Sequence, residues 1–234
     1  MSNKLSVVII SKNEEKFIAD AVKSALFSDE VLVLDSGSTD GTCVIAQNLG
    51  AKVIHQDWLG FGMQKNKVVE LASNDWVFVL DADERITAEL QAEILTTLKN
   101  PLAGGYYVAR LNKFFGKYIR HCGLYPDYSI RLFNRHQGKF NDVAVHESVQ
   151  IKTTTEKLKN HMIHLAFDSV SEFTNKQRKY AALSQKNKNI VKAFISPIWI
   201  FFKIYIFRLG FVEGWRGFVI AKVYAQYTFW KYFK

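Results

Sequence analysis

The sequence predicts an α/β protein with a doubly wound, mixed sheet and a C-terminal amphipathic helical extension. In the first third of the chain, short apolar runs alternate with segments whose apolar residues recur at helical spacing. The charge then changes sign along the chain. Residues 1–156 carry 17 basic and 19 acidic side chains, whereas residues 157–234 carry 14 basic and 3 acidic ones. We therefore predict one domain over residues 1–156 and a basic, aromatic extension over residues 157–234.

The elements of the first domain follow from these patterns in order. Leu5–Ile10 is a continuous β-branched run, which is typical of a strand covered on both faces. Glu14–Phe27 then has apolar residues at helical spacing. The same two patterns predict the next elements, which are strands at Val31–Leu34, Ala51–His55 and Trp76–Leu80 and helices at Asp40–Leu49 and Met63–Ala72.

The pattern changes after Pro101. Two runs rich in Tyr, Val, Ile and Phe predict strands of an antiparallel half, which makes the sheet mixed. The remaining chain predicts a charged helix and then two aromatic helices with a break. The predicted elements are strands Tyr106–Leu111 and Tyr128–Asn134, a helix at Glu172–Lys192, and two helices within Ser196–Lys234 that are broken around Gly210–Gly217.

Polar clusters follow three of the predicted strands, at the carboxyl ends where ligands bind in open α/β sheets. They begin at Ser11, Asp35 and Asp81. Asp81 and Asp83 stand at alternate positions, so they can aim two carboxylates into one site. Hard divalent cations prefer such oxygen ligands together with substrate phosphates. The alternative is a solvated acidic turn, which the register of the three clusters disfavours.

The second cluster, Asp35–Thr42, has two possible roles. Thr39 or Asp40 can cap the helix that follows. Asp35 stands at the strand end itself, so it is better placed to accept a hydrogen bond from a ligand such as a nucleobase N–H.

Three segments together resemble the successive signatures of the family 2 inverting glycosyltransferases with the GT-A fold. They are Leu5–Glu14, Val33–Gly41 and Asp75–Glu84, and they occur in the family's order and at its spacing over roughly residues 4–150. The resemblance implies a UDP-sugar donor and Mg²⁺ or Mn²⁺. It further implies these contacts: Ser11 and Glu14 near the uridine, Asp35 on the base, Gln64 and Lys65 near the ribose or diphosphate, and Asp83 on the metal with Asp81 beside it.

Segments of the second half are similar to short bacterial lipopolysaccharide-core glucosyltransferases. They are Asp127–Asn134, Val145–Glu147 and Gly214–Gly217. This narrower resemblance implies transfer of β-linked glucose to an inner-core heptose of lipopolysaccharide or lipooligosaccharide, a lipid-anchored acceptor. Transfer to another cell-envelope glycan or glycolipid is the alternative.

An inverting transfer needs a carboxylate as general base on the acceptor hydroxyl. Glu147 is our first candidate and Asp127 the second, although a salt bridge or turn is an equal alternative for Glu147. Arg131, with Lys65, is a candidate to face the diphosphate, and an ion pair at the edge of the core is the alternative for Arg131. His146 could orient Glu147 or bind a metal, and a structural role is the favoured alternative. Structural roles are also predicted for His121, Cys122, His161 and His164, because no partner cluster stands at zinc-like spacing.

The basic extension has two interpretations. Its aromatic residues can be internal packing with lysines on a solvated face, or they can form an apolar face in a membrane interface with basic residues on anionic head groups. The high density of both aromatic and basic residues favours the membrane interface. The apolar set is Trp199, Phe201, Phe202, Tyr205, Phe207, Phe211 and Trp215, and the basic set is Lys203, Arg208, Arg216 and Lys222.

We therefore expect a cytoplasmic protein, peripheral on the cytoplasmic face of the inner membrane. Cys43 and Cys122 have no paired spacing, and the N-terminus has no secretory pattern. A nucleic-acid-binding module is a competing class, which the mixture of aromatic and long aliphatic residues disfavours. A phosphohydrolase with Asp81 as nucleophile and a non-catalytic nucleotide-sugar sensor are the remaining alternatives.

Overall fold

The computed structural model describes residues 3–141, 148–184 and 189–233. The chain divides into two compact units, one of Met1–Arg110 with Tyr128–His164 and the other of Leu111–Asp127 with Leu165–Lys234. The sequence places one boundary after residue 156, whereas the chain passes between the two units three times. The difference has a physical reason. A change of charge reports surface composition, whereas compactness depends on which segments pack together.

The first unit holds the predicted alternation of strands and helices. Among the residues described, its elements are β1 (Leu5–Ser11), α1 (Ile18–Ala25), β2 (Glu30–Asp35), α2 (Thr42–Asn48), β3 (Lys52–His55), α3 (Phe61–Leu71), β4 (Trp76–Asp81), β5 (Glu84–Ile86), α4 (Ala88–Thr97), most of β6 (Gly105–Phe114), most of β8 (Asp127–Asn134), β9 (Gly138–Phe140), β10 (Val149–Ile151) and most of β11 (Thr155–Phe167). Residues 117–119 form β7, which belongs to the second unit.

The main sheet has the strand order β3-β2-β1-β4-β8-β6-β11-β5. β1 pairs in parallel with β2 and β4, and β2 pairs in parallel with β3. β8 lies antiparallel to β4, and β5 lies antiparallel to β11. The chain thus builds β1 to β3 in one direction and then crosses to the other side of β1. This change of direction is the switch point at which doubly wound sheets bind ligands, and the predicted mixed α/β class is confirmed.

Alternate side chains of the central strands pack into two hydrophobic cores, one on each face of the sheet. Val7 and Ile9 of β1 pack in one core with residues of α1 and α4, and Val8 packs in the other core with residues of α3. All three side chains are fully buried. A strand buried on both faces needs apolar side chains at every position, which explains the uninterrupted β-branched run.

The sequence does not predict five elements of the first unit, which are α4, β11 and the three-residue strands β5, β9 and β10. β11 is rich in Lys, Asn and His, and those polar side chains conceal its alternation, although Leu158 and Met162 are buried. α4 begins after Thr87, whose hydroxyl accepts a hydrogen bond from the N–H of Leu90. The first helix also begins at Ile18 rather than at residue 14, because residues 14–17 form a turn.

The second unit is built on aromatic residues. Phe114, Phe115, Phe167 and Phe173 pack with ring centroids 4.8 to 6.3 Å apart. Its described elements beyond the ends of β6 and β11 are β7 (Lys117–Ile119), α5 (Val170–Leu183), α6 (Ile190–Phe202), a π-helical turn (Lys203–Phe207), a 3₁₀ turn (Gly210–Glu213) and α7 (Trp215–Phe233).

The predicted single helix over residues 172–192 is wrong. α5 ends at Leu183, and Asn189 starts α6 by accepting a hydrogen bond from the N–H of Lys192. The predicted break before α7 is confirmed. Position 217, in the first turn of α7, requires a glycine. A side chain at this position would collide with the backbone carbonyl of Gly210.

Glu213 ties the 3₁₀ turn to the β7 region. Its buried carboxylate accepts hydrogen bonds from the His121 ring at 2.7 Å and the backbone N–H of Arg120 at 3.0 Å, and it lies 2.8 Å from the Lys117 ammonium. Burial alone would raise its pKa, but the bonds from Lys117 and His121 outweigh burial and lower the pKa from 4.5 to about 2.

This shift predicts a pH dependence of stability. A carboxylate whose pKa is lower in the folded than in the unfolded state stabilises the fold above its unfolded pKa, and that stability is lost as the pH falls towards its folded pKa. We expect the free energy of unfolding of the wild type to exceed that of Glu213→Gln at pH 7, with the difference shrinking between pH 4.5 and about 2. Urea unfolding of both proteins across this pH range measures the difference in free energy of unfolding. A difference that stays constant with pH would contradict the prediction.

Candidate active site

The carboxyl ends of three neighbouring strands bring most of the predicted donor-site residues to one edge of the first unit. Ser11 at the end of β1 is in register with Asp35 at the end of β2. Asp81 at the end of β4 is in register with Ile10, one residue before Ser11. The three polar clusters therefore stand side by side, as the sequence predicts. The parallel pairing of β2, β1 and β4 is what aligns them.

Asp35 organises the loop that follows β2. Its carboxylate accepts hydrogen bonds from the Ser11 hydroxyl at 2.9 Å, the Gly37 N–H at 2.9 Å and the Ser38 N–H at 2.7 Å, and also from the Ser38 hydroxyl. Burial acts to raise the pKa of Asp35, but the bonds from Ser38 and Ser11 prevail and lower it. The carboxylate is thus held ionised, and contact with a base stays a prediction.

Two further predicted donor-site residues also hold loops at this edge. The backbone N–H of Glu14 donates to the Thr42 hydroxyl at 2.8 Å, which ties the turn after β1 to the start of α2. The Gln64 side chain is fully buried and donates to the Ser36 hydroxyl at 3.0 Å and the Gln56 carbonyl at 3.2 Å. Gln64 therefore positions the loops after β2 and β3.

Asp81 lies in a buried network of charges. Its carboxylate is 3.0 Å from the Lys65 ammonium and 3.2 Å from the Arg131 guanidinium. Glu84, which is fully buried, lies 2.7 Å from Arg131 and 3.6 Å from Arg110, and it accepts the N–H of Asp81 at 3.0 Å. Burial acts to raise the pKa of Asp81, but Lys65 and Arg131 outweigh it and hold the pKa well below its usual range.

All three guanidinium nitrogens of Arg131 donate hydrogen bonds to protein acceptors. Besides the two carboxylates, Arg131 donates to the Ser129 hydroxyl at 3.1 Å and to the Val79 carbonyl at 3.3 Å. Its side chain is only 6% exposed. Of the two roles that the sequence leaves open for Arg131, the structure shows the ion pair, and direct contact with a diphosphate stays a prediction.

Asp83 has a different environment from Asp81. Its side chain is one-third exposed, and one carboxylate oxygen lies 3.2 Å from Nε2 of His164. The sequence predicts a structural role for His164, and the structure instead places it beside the predicted metal ligand. The residue was missed because β11 was not predicted. The antiparallel register of His164 with Glu84 is what brings it there.

The donor set fits a divalent metal that takes its remaining ligands from a substrate. Among the described residues, no group of three or more His, Cys, Asp or Glu side chains could enclose an ion. Asp83 and His164 offer one carboxylate and one imidazole at a partly exposed position, which suits Mn²⁺ or Mg²⁺ with phosphate oxygens completing its shell. Asp81 is already paired with two cations, and its predicted place beside the metal ligand stays a prediction.

Neither candidate for the general base is among the described residues of the first unit. Glu147 and its neighbour His146 lie outside the described residues. Asp127 begins β8 and belongs to the second unit. There, burial and the nearby Asp127 together raise the pKa of Tyr224 to about 12.

Comparisons with known proteins agree with this fold. Residues 6–158 match the family described as Glycosyl transferase family 2. An uncharacterized glycosyltransferase of Rickettsia typhi is 33% identical over 244 residues, covering 95% of this chain and 83% of the relative. The lipopolysaccharide core biosynthesis glycosyltransferase LpsC of Rhizobium meliloti is 29% identical over 247 residues, covering 96% of this chain and 89% of LpsC.

The fold also resembles a solved structure, that of S. aureus TarS 1-349 in complex with UDP. The two superpose with a TM-score of 0.51 and 18% sequence identity over 77% of this chain and 65% of the TarS fragment. This similarity supports the GT-A fold. The family match and the Rickettsia typhi relative establish that the chain is a glycosyltransferase and belongs to glycosyl transferase family 2.

Proposed function

We propose that this glycosyltransferase transfers a sugar, glucose in our first choice, from a UDP-sugar to the inner-core heptose of lipopolysaccharide or lipooligosaccharide, with inversion at the anomeric carbon. The observation that carries the proposal is the joint placement of the Asp35 loop, the Lys65–Asp81–Arg131 network and Asp83 at the carboxyl ends of β2 and β4. The relative LpsC, which acts in lipopolysaccharide core biosynthesis, supports the acceptor class, and TarS bound to UDP supports the donor class.

The charges of the site suit a diphosphate. Lys65, Arg110 and Arg131 provide three positive charges, and Asp81 and Glu84 provide two negative ones. Asp83 adds a third carboxylate at the same edge, so these charges balance, and a divalent cation held by Asp83 would favour an anionic ligand at the strand ends. Because most of the groups are buried, their field is screened less than that of surface charges.

A divalent cation, Mg²⁺ or Mn²⁺, is part of the proposal. Asp83 would hold it, with His164 as the second protein ligand, and when bound it would neutralise charge that develops on the diphosphate leaving group. The roles of the chain's own residues are separate. Asp35 keeps the Ser36–Thr39 loop in one conformation, and Lys65 and Arg131 keep Asp81 ionised beside the Asp83 turn.

The acceptor half of the reaction requires a base on the attacking hydroxyl. Glu147 is the first candidate and Asp127 the second. We place the reaction at the cytoplasmic face of the inner membrane, where a soluble nucleotide-sugar and a lipid-anchored acceptor meet.

The test is a panel of UDP-sugars incubated with the purified protein and Mg²⁺ or Mn²⁺, scored for slow release of UDP. We expect one sugar to be hydrolysed in preference to the others and EDTA to stop the release. Purified core oligosaccharide that ends in the inner-core heptose should then accept the sugar, with inverted configuration by NMR. Transfer only to another envelope glycan would select the alternative acceptor, and no release from any UDP-sugar would contradict the proposal.

A further inference from the structure

The outward face of α6 is apolar, which is the reverse of a helix on the surface of a soluble protein. Ile190–Phe207, which comprises α6 and the π-helical turn, has a mean hydropathy of 1.8 over 18 residues, and only 11% of this segment is buried. We call its exposed side chains the α6 face. They are Ile190, Val191, Phe194, Ile195, Ile198, Trp199, Phe202, Ile206 and Phe207, each between 45% and 68% exposed. Large contiguous apolar patches on a protein surface mark interaction sites.

The α6 face differs from the aromatic set that the sequence predicts. Phe201 and Tyr205 are half-buried and pack with Phe218 at ring distances of 5.6 and 5.9 Å, so they belong to the interior of the second unit. Aliphatic side chains such as Ile195 and Ile198 take their place on the exposed side. At about 100° per residue, Phe201 is turned about 60° from Ile198 and about 100° from Phe202, so it lies at the border of the exposed side, where Phe218 of α7 packs on it.

The segment that carries the α6 face has one acidic residue and six basic ones. Over residues 189–233 the only carboxylate is Glu213, which is buried and paired with Lys117 and His121. The six basic residues of the same segment are Lys192, Lys203, Arg208, Arg216, Lys222 and Lys231. A second copy of this chain docked on the face would bring like charges together, whereas an anionic bilayer offers both apolar depth and negative head groups.

The packing of α6 determines how it can enter a bilayer. At one end, the N–H of Asn189 donates to the Tyr232 carbonyl of α7 at 3.2 Å, and at the other end the carbonyl of Arg208 accepts the N–H of Cys122 at 2.8 Å. α6 is about 27 Å long with its π-helical turn, at ~1.5 Å per residue, which is close to the thickness of a bilayer core. If α6 crossed the bilayer, α7 would enter it as well, because the two helices pack together. Lys222, near the middle of α7, would then lie in hydrocarbon.

We propose that the α6 face inserts sideways into the surface of a bilayer that contains anionic lipids, with α6 parallel to the membrane plane. The apolar side chains enter the interface, and the surrounding lysines and arginines contact the lipid phosphates. α7 covers the inner side of α6 and stays with the protein. The proposal concerns the second unit alone and requires no donor or metal, so it can fail or succeed independently of the proposed reaction.

The test is sedimentation of the full chain with vesicles of phosphatidylcholine alone or mixed with phosphatidylglycerol. We expect binding to the mixed vesicles that weakens with salt. Ile198→Glu should reduce the bound fraction roughly tenfold or more, since it removes an inserted side chain and adds a charge to the apolar region. Leu102→Glu is the matched control, because Leu102 is 71% exposed in the first unit, and it should bind like the wild type.

A second variant, Val191→Glu, repeats the test at another exposed position of the face, and circular dichroism verifies that each variant is folded. Alkaline carbonate should release the bound protein, since a helix parallel to the surface is peripheral. Retention after carbonate would overturn sideways insertion. Three other results would overturn the proposal. The first is unchanged vesicle binding of both variants. The second is a protein that does not bind vesicles but forms a dimer that Ile198→Glu dissociates, and the third is salt-sensitive binding to DNA but not to vesicles.

Discussion

Replacing Asp83 by asparagine is expected to reduce sugar transfer roughly a thousandfold, with the fold intact. The substitution removes the negative charge of the one carboxylate at the end of β4 that is not already paired with Lys65 and Arg131. A metal that stabilises the leaving diphosphate contributes several kcal/mol to the transition state. A loss of ~4 kcal/mol corresponds to about three powers of ten in rate. Steady-state release of UDP in the presence of acceptor measures it.

The chain offers a matched control for this substitution. Asp57 also lies 3.2 Å from a histidine Nε2, that of His55, but its side chain is 94% exposed. Asp57→Asn should therefore leave turnover unchanged. His164→Gln should raise the Mn²⁺ concentration needed for half-maximal activity, because it removes the second proposed ligand. An Asp83→Asn protein that retained turnover within threefold of the wild type would show that the proposed metal role is wrong.

Replacing Arg131 by methionine is expected to lower the free energy of unfolding by about 3–5 kcal/mol. The guanidinium is the shared partner of Asp81 and of the fully buried Glu84. Its removal leaves Glu84 with a cation only at 3.6 Å, on Arg110. An uncompensated buried charge costs more than the pair itself contributes. Urea unfolding with matched far-UV circular dichroism measures the loss.

Arg110→Met provides the comparison, because Arg110 touches the same network from a side chain that is 28% exposed and stands farther from Glu84. We expect a clearly smaller loss from this substitution. A change below 1 kcal/mol for Arg131→Met would mean that water or rearranged neighbours solvate the two carboxylates. The network would then not have the structural role described above.

Local sequence pattern was sufficient where each residue's surroundings depend on its own strand or helix. The β-branched run of β1 predicted a strand buried on both faces, and Val7, Val8 and Ile9 are fully buried. The polar residues after β1, β2 and β4 predicted a site at the carboxyl ends, and the parallel registers align them. Such predictions succeed because parallel strands oriented alike necessarily end at one edge.

Pattern was insufficient where a role depends on a partner far along the chain. Arg131 could face a ligand or an ion pair, and the antiparallel docking of β8 beside β4 decided for the ion pair with Asp81 and Glu84. His164 was interpreted as structural, and the pairing of β11 with β5 placed it against Asp83. The exposed side of α6 likewise depends on the position of α7.

The sequence by itself therefore determined the fold class, the family and the edge of the sheet at which the site lies, because periodicity and strand-end residues are local properties. Only the tertiary structure decided that Asp81 is neutralised by Lys65 and Arg131, that Asp83 stands with His164, and that α6 turns its apolar side outward. Charge pairing and burial depend on atoms brought together from distant segments, and no local pattern records those contacts.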